Sequence, residues 1–230
     1  MSNPAVSVIL PVLNGERFLS QALESIFQQK YDPLEVIVVD GQSTDRSAAI
    51  AQSFEGVRLI PQRGDGVAAA RNTGIEASSA SLIAFHASDD IWTPDKLRVQ
   101  VGYMQEHPEV DYSVAHMINF LEPGYPPPPG FKMEQLDIPI VSRTLETLVV
   151  RRSAFDVVGL FTTELALAQD VDWFLHAKDC GLTMAILPEV LLLRRIHDRN
   201  DTFTKDMNSD LLKALHNSVR RQRDPPSSSS

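Results

Sequence analysis

Short apolar runs alternate with helix-spaced stretches through the first part of the chain. Val6 to Leu10 is an apolar run ending at Pro11 and reads as a buried strand. Asn14-Gly15 is a turn signal. Glu16 to Lys30 then sets Phe18, Leu19, Ala22, Ile26 and Phe27 at helical spacing. LEVIVV, from Leu34 to Val39, is β-branched and apolar and is stopped by Asp40-Gly41. Ser43 or Thr44 can cap a helix running to about Ser53. A third strand over Val57–Ile60, a helix over Val67–Ala77 and a fourth strand over Leu82–Phe85 follow. That last strand runs straight into HASDD.

Beyond Thr93-Pro94 the pattern predicts a helix over Asp95–His107 and a strand over Val110–Met117. The segment EPGYPPPPG, Glu122 to Gly130, breaks both periods, because its prolines cannot donate backbone hydrogen bonds. It reads equally as a passive loop or as a lid. Thr144–Val150 is strand-like and Ser153–Val158 a helical turn. A helix over Asp170–Cys180 precedes two short strands, Met184–Leu187 and Val190–Arg195. A final helix, Ser209–Gln222, carries Lys213, Arg220 and Arg221, with Arg223 just beyond it. Those cations suit a helix C-terminus, and they read as a solvated face rather than a membrane patch. The tail DPPSSSS is low in complexity and is expected to be disordered.

Strand–helix alternation with continuously apolar strands predicts an α/β fold whose parallel sheet is covered on both faces. Ligands of such sheets bind at the carboxyl ends of the strands. The polar clusters fall there: Asn14 and Glu16 after the first strand, Asp40 to Asp45 after the second, Ser88 to Asp90 after the fourth. Strand ends are loops and are polar in any case. Three acid-bearing ends in one sheet favour a site.

Composition narrows the function classes. The chain has 230 residues with 21 Lys and Arg against 30 Asp and Glu, a net charge of −9. A general nucleic-acid binder needs a basic footprint, so that class is set aside. Cys180 is the single cysteine, which rules out an intramolecular disulfide and makes a cysteine zinc site untenable. No run approaches the roughly 20 apolar residues of a membrane span. The start lacks a signal-peptide pattern. A cytoplasmic protein is expected, with peripheral attachment to a membrane left open.

Four constellations could carry chemistry. Asp89 with Asp90 repel each other and favour a divalent cation with oxygen ligands, Mg²⁺ or Mn²⁺, although two acids there also suit helix capping. Arg71-Asn72 lies downstream of Gly64-Asp65-Gly66, where a forked guanidinium could hold phosphate. The glycines fit neither a P-loop nor a dinucleotide fingerprint. Asp170 and Asp172 open a helix but do not share a face, so one can serve as a general base and the other as a structural partner. Arg195, His197 and Asn200 close the last strand, where a histidine could reach a metal or a phosphate, or simply end the strand.

Taken in order, these segments resemble the inverting family 2 glycosyltransferases of GT-A fold. VSVILPVLNGERFLSQALESIFQQ is similar to that family's first strand and helix, and VIVVDGQSTDRS to its nucleoside-binding segment. GVAAARNTGIEAS and IAFHASDDIWTPDKL resemble its third and metal-binding blocks. LVVRRSAFDVVGLF, LALAQDVDWFLHA and RRIHDRN resemble the acceptor region, the base-bearing helix and the closing segment. The likeness is collinear over about residues 6 to 200.

The resemblance implies a mostly parallel sheet flanked by helices, with a small antiparallel portion on the acceptor side. It implies one domain over 1–224: a nucleotide-sugar half to about 95, an acceptor half over about 96–205 and a closing helix over 206–224. Pro11, Val12, Asn14, Glu16, Asp40 and Ser43 would surround the base and ribose, Asp40 taking a hydrogen bond from a uracil ring. Arg71 would meet the nucleotide or its diphosphate. Asp89 would hold Mn²⁺ or Mg²⁺ beside Ser88 and Asp90, with His197 as a further candidate ligand. Asp170 would be the catalytic base, while Trp173 and Asp172 would stand on the acceptor side.

Two positions depart from the family pattern. Its metal motif usually carries two acids, and here the first is Ala87. Its base usually follows a glutamate, and here it follows Gln169, which removes a like charge. The resulting expectation is a metal-assisted, inverting transfer from a UDP-sugar to an acceptor hydroxyl on a glycan, a lipid-linked sugar or another molecule. A dTDP- or GDP-sugar is the runner-up. Ala87 motivates a non-catalytic nucleotide-sugar-binding protein as the alternative. A nucleotidyltransferase is disfavoured for want of a Gly-rich, Lys-bearing loop.

Overall fold

The computed structural model describes residues 3–200 and 207–223. The expected tail over 225–230 lies outside them.

Period-two burial builds the centre of the molecule. Strand β1 (Val6–Val12) turns Val6, Val8, Leu10 and Val12 into one apolar cluster and Ile9 into another. Strand β2 (Leu34–Asp40) does the same with Val36 and Val38 against Ile37 and Val39. Such strands have no polar face because helices cover both sides of the sheet. Helix α1 (Leu19–Phe27) buries Leu19, Ala22, Leu23 and Ile26, the stripe that its spacing predicts. Helix α2 (Ser47–Ser53) starts later than the expected Ser43 or Thr44 cap. The Asp45 carboxylate instead accepts from the Ser47 amide at 2.9 Å.

Strand β3 (Val57–Pro61), helix α3 (Gly66–Ala77) and strand β4 (Leu82–Phe85) complete the parallel half. Helix α3 is rich in Ala and Gly, and this allows close approach. A Cβ on Gly74 would lie 2.3 Å from Ile9 Cγ2 of β1. The two-residue strand β5 (Ile91–Trp92), too short to show a period, precedes helix α4 (Lys96–Glu106).

Strands β6 (Tyr112–Leu121), β7 (Ile140–Val141), β8 (Val149–Arg151) and β9 (Met184–Ile196) extend the sheet. Its order is β3-β2-β1-β4-β8-β6-β9-β5, with β7 paired to β6. β8 runs antiparallel to both β4 and β6, and β5 antiparallel to β9. The expected layout, mostly parallel with a small antiparallel part, is what the strands form. The two strands expected at 184–187 and 190–195 are one. Register slips from Ala115↔Leu187 to His116↔Val190, skipping Pro188 and Glu189, because proline cannot donate to the ladder. Helices α5 (Ser153–Val158), α6 (Gln169–Asp179) and α7 (Asn208–Arg223) finish the fold.

A buried polar network fixes the single turn at 145–147, which joins β7 to β8. Trp92 Nε1 donates to the Glu146 carbonyl at 3.0 Å, and Gln100 Nε2 and Lys96 Nζ donate to the Thr147 carbonyl at 2.9 and 3.3 Å. Lys96 is fully buried over the Trp92 ring, its ammonium 4.8 Å from the centroid. Burial pulls its pKa down to about 7, against a smaller upward pull from Glu146.

Two stability predictions follow from this packing. Gly74→Ala should lower the unfolding free energy measured in urea by about 1–3 kcal/mol through overpacking. Gly102→Ala, mid-helix with nothing within 4 Å of its Cβ, should raise it by roughly 0.5–1 kcal/mol. Equal effects at the two sites would refute the close α3–β1 contact. Lys96 gives a pH signature. The unfolded chain holds its proton up to about pH 10.4 and the folded chain only to about 7, so burial of Lys96 costs stability at and below neutral pH. That cost is relieved as pH rises between those values. Unfolding of wild type and Lys96→Met across this range should show the wild type gaining on the variant, and parallel curves would contradict the burial.

Candidate active site

Two loops at the carboxyl ends of β1 and β2 are stitched together by side chains. The Asn14 amide donates to Ser43 Oγ at 2.9 Å, and Asn14 Oδ1 accepts from the Thr44 amide at 2.8 Å. The Glu16 amide donates to Asp45 at 3.0 Å, and the Glu16 carboxylate accepts from both the Arg46 amide and its Nε at 3.1 Å. Asp40 accepts from the Ser43 amide at 3.2 Å. Asn14 and Gln42 both adopt left-handed backbone, φ 51° and 67°, as tight loops at a site often do. Val12 ties β1 to this corner, its carbonyl accepting from the Gly41 amide at 2.8 Å, while Pro11 pairs with Val39 in the sheet. Gly15 brings it against the next loop, since a Cβ there would meet Ser88 Oγ at 3.1 Å. Asn14, Glu16, Asp40, Ser43 and Ser88 therefore gather on one rim.

Asp89 and Asp90 follow β4 and are braced by β9. Asp90 Oδ1 accepts from the Arg195 amide at 2.9 Å, and the Asp89 carbonyl accepts from Arg195 Nε at 2.8 Å. The Arg195 guanidinium also pairs with Glu122. His197 Nε2 lies 3.0 Å from Asp89 Oδ2. His197 Nδ1 accepts from the Arg199 amide at 3.1 Å, so the neutral ring carries its proton on Nε2 and donates to Asp89. Burial, with the charges of Asp89 and Glu146 nearby, raises the Asp90 pKa well above the usual carboxylate range.

Glu146 is a site residue that sequence reasoning did not find. It lies in a turn between two short strands, in no motif. Its carboxylate is 3.3 Å from Arg71 Nη2, and both side chains are largely buried. Arg71 Nε and Nη1 are buried without a protein partner. Asp170, in the first turn of α6, feels both charges. Burial raises its pKa most and Glu146 adds to that, while Arg71 and the Val171 amide pull it down. Glu146 is thus the electrostatic neighbour common to Asp90, Arg71 and Asp170.

Two residues expected on the acceptor side are held within the fold. Trp173 lies in the core. It is 2% exposed, packed among Tyr112, Phe155 and Phe161, with Nε1 donating to the Gly159 carbonyl at 3.2 Å. A large apolar ring one turn into a buried helix gains more from the core than from solvent. Asp172 faces α7, with Arg221 Nη1 at 3.3 Å and Asn217 Nδ2 at 3.4 Å. It is the structural partner that the i, i+2 spacing allows for one of the two acids.

Among the described residues no three His, Cys, Asp or Glu side chains gather where they could hold a metal ion. Asp89 with His197 is a pair, one oxygen and one nitrogen. Such a pair fits an ion that completes its shell with substrate phosphates and water, as Mg²⁺ and Mn²⁺ commonly do. Two surface cavities, of about 410 Å³ beside α4 and Pro188 and about 530 Å³ beside Arg63 and Thr163, lie apart from these acids.

Known proteins are similar to this chain in sequence and in fold. The chain is 27% identical over 219 residues to the uncharacterized glycosyltransferase RT0329 of Rickettsia typhi, covering 88% of this chain and 67% of that one. It is 36% identical over 107 residues to the UDP-Glc:alpha-D-GlcNAc-diphosphoundecaprenol beta-1,3-glucosyltransferase WfgD of Escherichia coli, covering 45% and 42% of the two chains. The mannosyltransferase PcManGT of Pyrobaculum calidifontis, solved with GDP-Man and Mn²⁺, shares the fold. Its TM-score is 0.75 at 19% identity, over 96% of this chain and 65% of that one. The chain thus spans about two thirds of the length of that solved protein. The model of glycosyl transferase family 2 matches residues 7–162, which include Asp40, Asp89 and Asp90 and end before Asp170 and His197, and the chain belongs to that family.

Proposed function

We propose that this chain transfers a sugar from a nucleotide-diphosphate sugar, a UDP-sugar by preference, to an acceptor hydroxyl with inversion at the anomeric carbon. The observation that carries the reading is the convergence of two half-sites on Glu146: Asp89, Asp90 and His197 on one side, Arg71 and Asp170 on the other. One half suits a diphosphate and its cation, the other an incoming nucleophile. Donor and acceptor halves then belong to one domain, divided near β5.

The rim of Asn14, Glu16, Asp40 and Ser43 would take the nucleoside, with Asp40 accepting from the base. Arg71, with two buried N–H-bearing nitrogens unpartnered, would turn them to phosphate oxygens. Asp89 and His197 would hold Mn²⁺ or Mg²⁺. The ion would supply positive charge beside the departing diphosphate. To ligate through Nε2, His197 would have to carry its proton on Nδ1 and give up the hydrogen bond from the Arg199 amide. Asp170 would remove the acceptor's hydroxyl proton as that oxygen bonds to the anomeric carbon and the bond to phosphate breaks. Its raised pKa makes it a stronger base than an exposed aspartate, and the Arg71 charge keeps it ionisable.

A second reading is favoured by one observation. Ala87 leaves the Asp89–His197 pair without a second acid, which suits a protein that binds a nucleotide sugar without turning it over. WfgD, named for a UDP-glucose donor, supports the UDP preference, while the GDP-Man complex of PcManGT keeps a GDP-sugar as the competitor.

Titration calorimetry of UDP and GDP, each with and without Mn²⁺, should show UDP binding more tightly and Mn²⁺ strengthening it. Asp89→Asn should abolish the Mn²⁺ effect. Asp170→Asn should retain donor affinity and lose about 10²–10⁴-fold in transfer rate, the usual contribution of a general base. Full turnover by Asp170→Asn would remove it as the base. Metal-independent UDP binding with no transfer to any glycan or lipid-linked sugar would establish the binding-protein reading instead.

A further inference from the structure

Helix α7 has two faces of different chemistry. Its inner face buries Asp210, Ala214 and Ser218 against α6 and the segment before it. The Asp210 carboxylate accepts from the Ala166 and Leu167 amides at 2.8 and 3.0 Å. Further along, Arg221 reaches Asp172 at 3.3 Å and Asp179 at 3.1 Å, and Ser218 and Gln222 also donate to Asp179. The helix is thereby clamped in one rotational setting.

That setting turns an apolar stripe outward. Leu212, Leu215 and Val219 are 68%, 51% and 47% exposed. Their spacing of i, i+3 and i+7 puts them on one line along the helix. His216, Arg220 and Arg223 are exposed beside the stripe, as is Lys213, whose ammonium pairs with Asp210 at 3.6 Å. Asp210 is the one acid of the helix, and it faces the protein. A chain of net charge −9 thus concentrates cations along an outward apolar line.

We infer that this face of α7 is a docking surface for an anionic lipid bilayer. An amphipathic helix lying in an interface sinks its apolar stripe at the headgroup boundary while flanking cations meet lipid phosphates. Charge complementarity selects this occupant. A second copy of the chain would set basic flank against basic flank. The reading of these cations from sequence as a solvated face changes because the clamp to Asp172 and Asp179 determines which residues are left outside. The same helix braces residues 166–167, which lead into Asp170, so a bilayer docked here borders the segment that carries the proposed base. The inference is independent of the transferase reading, since vesicle binding needs neither donor nor turnover.

Vesicle sedimentation tests it with the intact chain. The protein should pellet with phosphatidylcholine vesicles containing phosphatidylglycerol, pellet far less with phosphatidylcholine alone, and be released by high salt. A Leu212→Asp/Leu215→Asp/Val219→Asp variant should lose roughly tenfold or more of the bound fraction, as should Arg220→Glu/Arg223→Glu. All the substituted positions are exposed, so thermal melts and UDP affinity should match the wild type. No binding to anionic vesicles, or equal binding by both variants, overturns the inference. So does a concentration-dependent dimer, seen by light scattering and abolished by the apolar variant, since the stripe would then serve a second copy.

Discussion

Like charges held close together, at the edge of the apolar sheet, are the constraint around which the site is arranged. Asp90 and Asp170 lie where burial penalises their ionised forms, and Asp89 and Glu146 stand beside them as like charges. Each must be held by hydrogen bonds, by a cation or by a proton. Arg195 does much of this from β9, tying its amide to Asp90 and its guanidinium to the Asp89 carbonyl and to Glu122. Arg71 does it for Glu146 and Asp170. The remaining negative charge at Asp89 is left to His197. A divalent ion and a diphosphate would complete this balance, one adding charge at Asp89 and the other engaging Arg71.

The scaffold supports that balance by rigidity. Three parallel strands buried on both faces, β1, β2 and β4, place the loops that follow them at one end. The antiparallel extension then carries β9 back so that Arg195 and His197 reach the residues following β4. The Trp92, Lys96 and Gln100 network beneath the 145–147 turn sets Glu146 at the meeting point of the two halves. Burial there lowers the Lys96 pKa to about 7 despite the opposing pull of Glu146, and the hydrogen bond to the Thr147 carbonyl ties that lysine to the turn.

Helix α6 shows how one short segment divides its work. Asp170 points to the polar centre, Trp173 into the aromatic core and Asp172 to Arg221 of α7. A variant at any of these three would alter α6, but through different causes: proton transfer, packing and helix clamping. The clamp also determines which side of α7 faces outward.

Much of this was legible in the chain itself. The apolar runs at 6–10, 34–39 and 82–85 named the parallel strands, because a strand buried on both faces must be continuously apolar. Polar strand ends pointed to the rim, and the collinear motifs pointed to the family. Other features depended on long-range contacts that local pattern does not encode. β5 is too short for any period, and β9 reads as two strands because Pro188 interrupts its ladder without ending it. Glu146 sits in no motif and became a site residue only when Arg71, 75 positions away, was folded against it. Trp173 and Asp172 carry the family's pattern, yet tertiary packing turned them to the core and to α7. Composition and periodicity determined the sheet and its polar end, since both are properties of neighbouring residues. Tertiary structure decided which charges share a burial, since that depends on what the whole chain brings together.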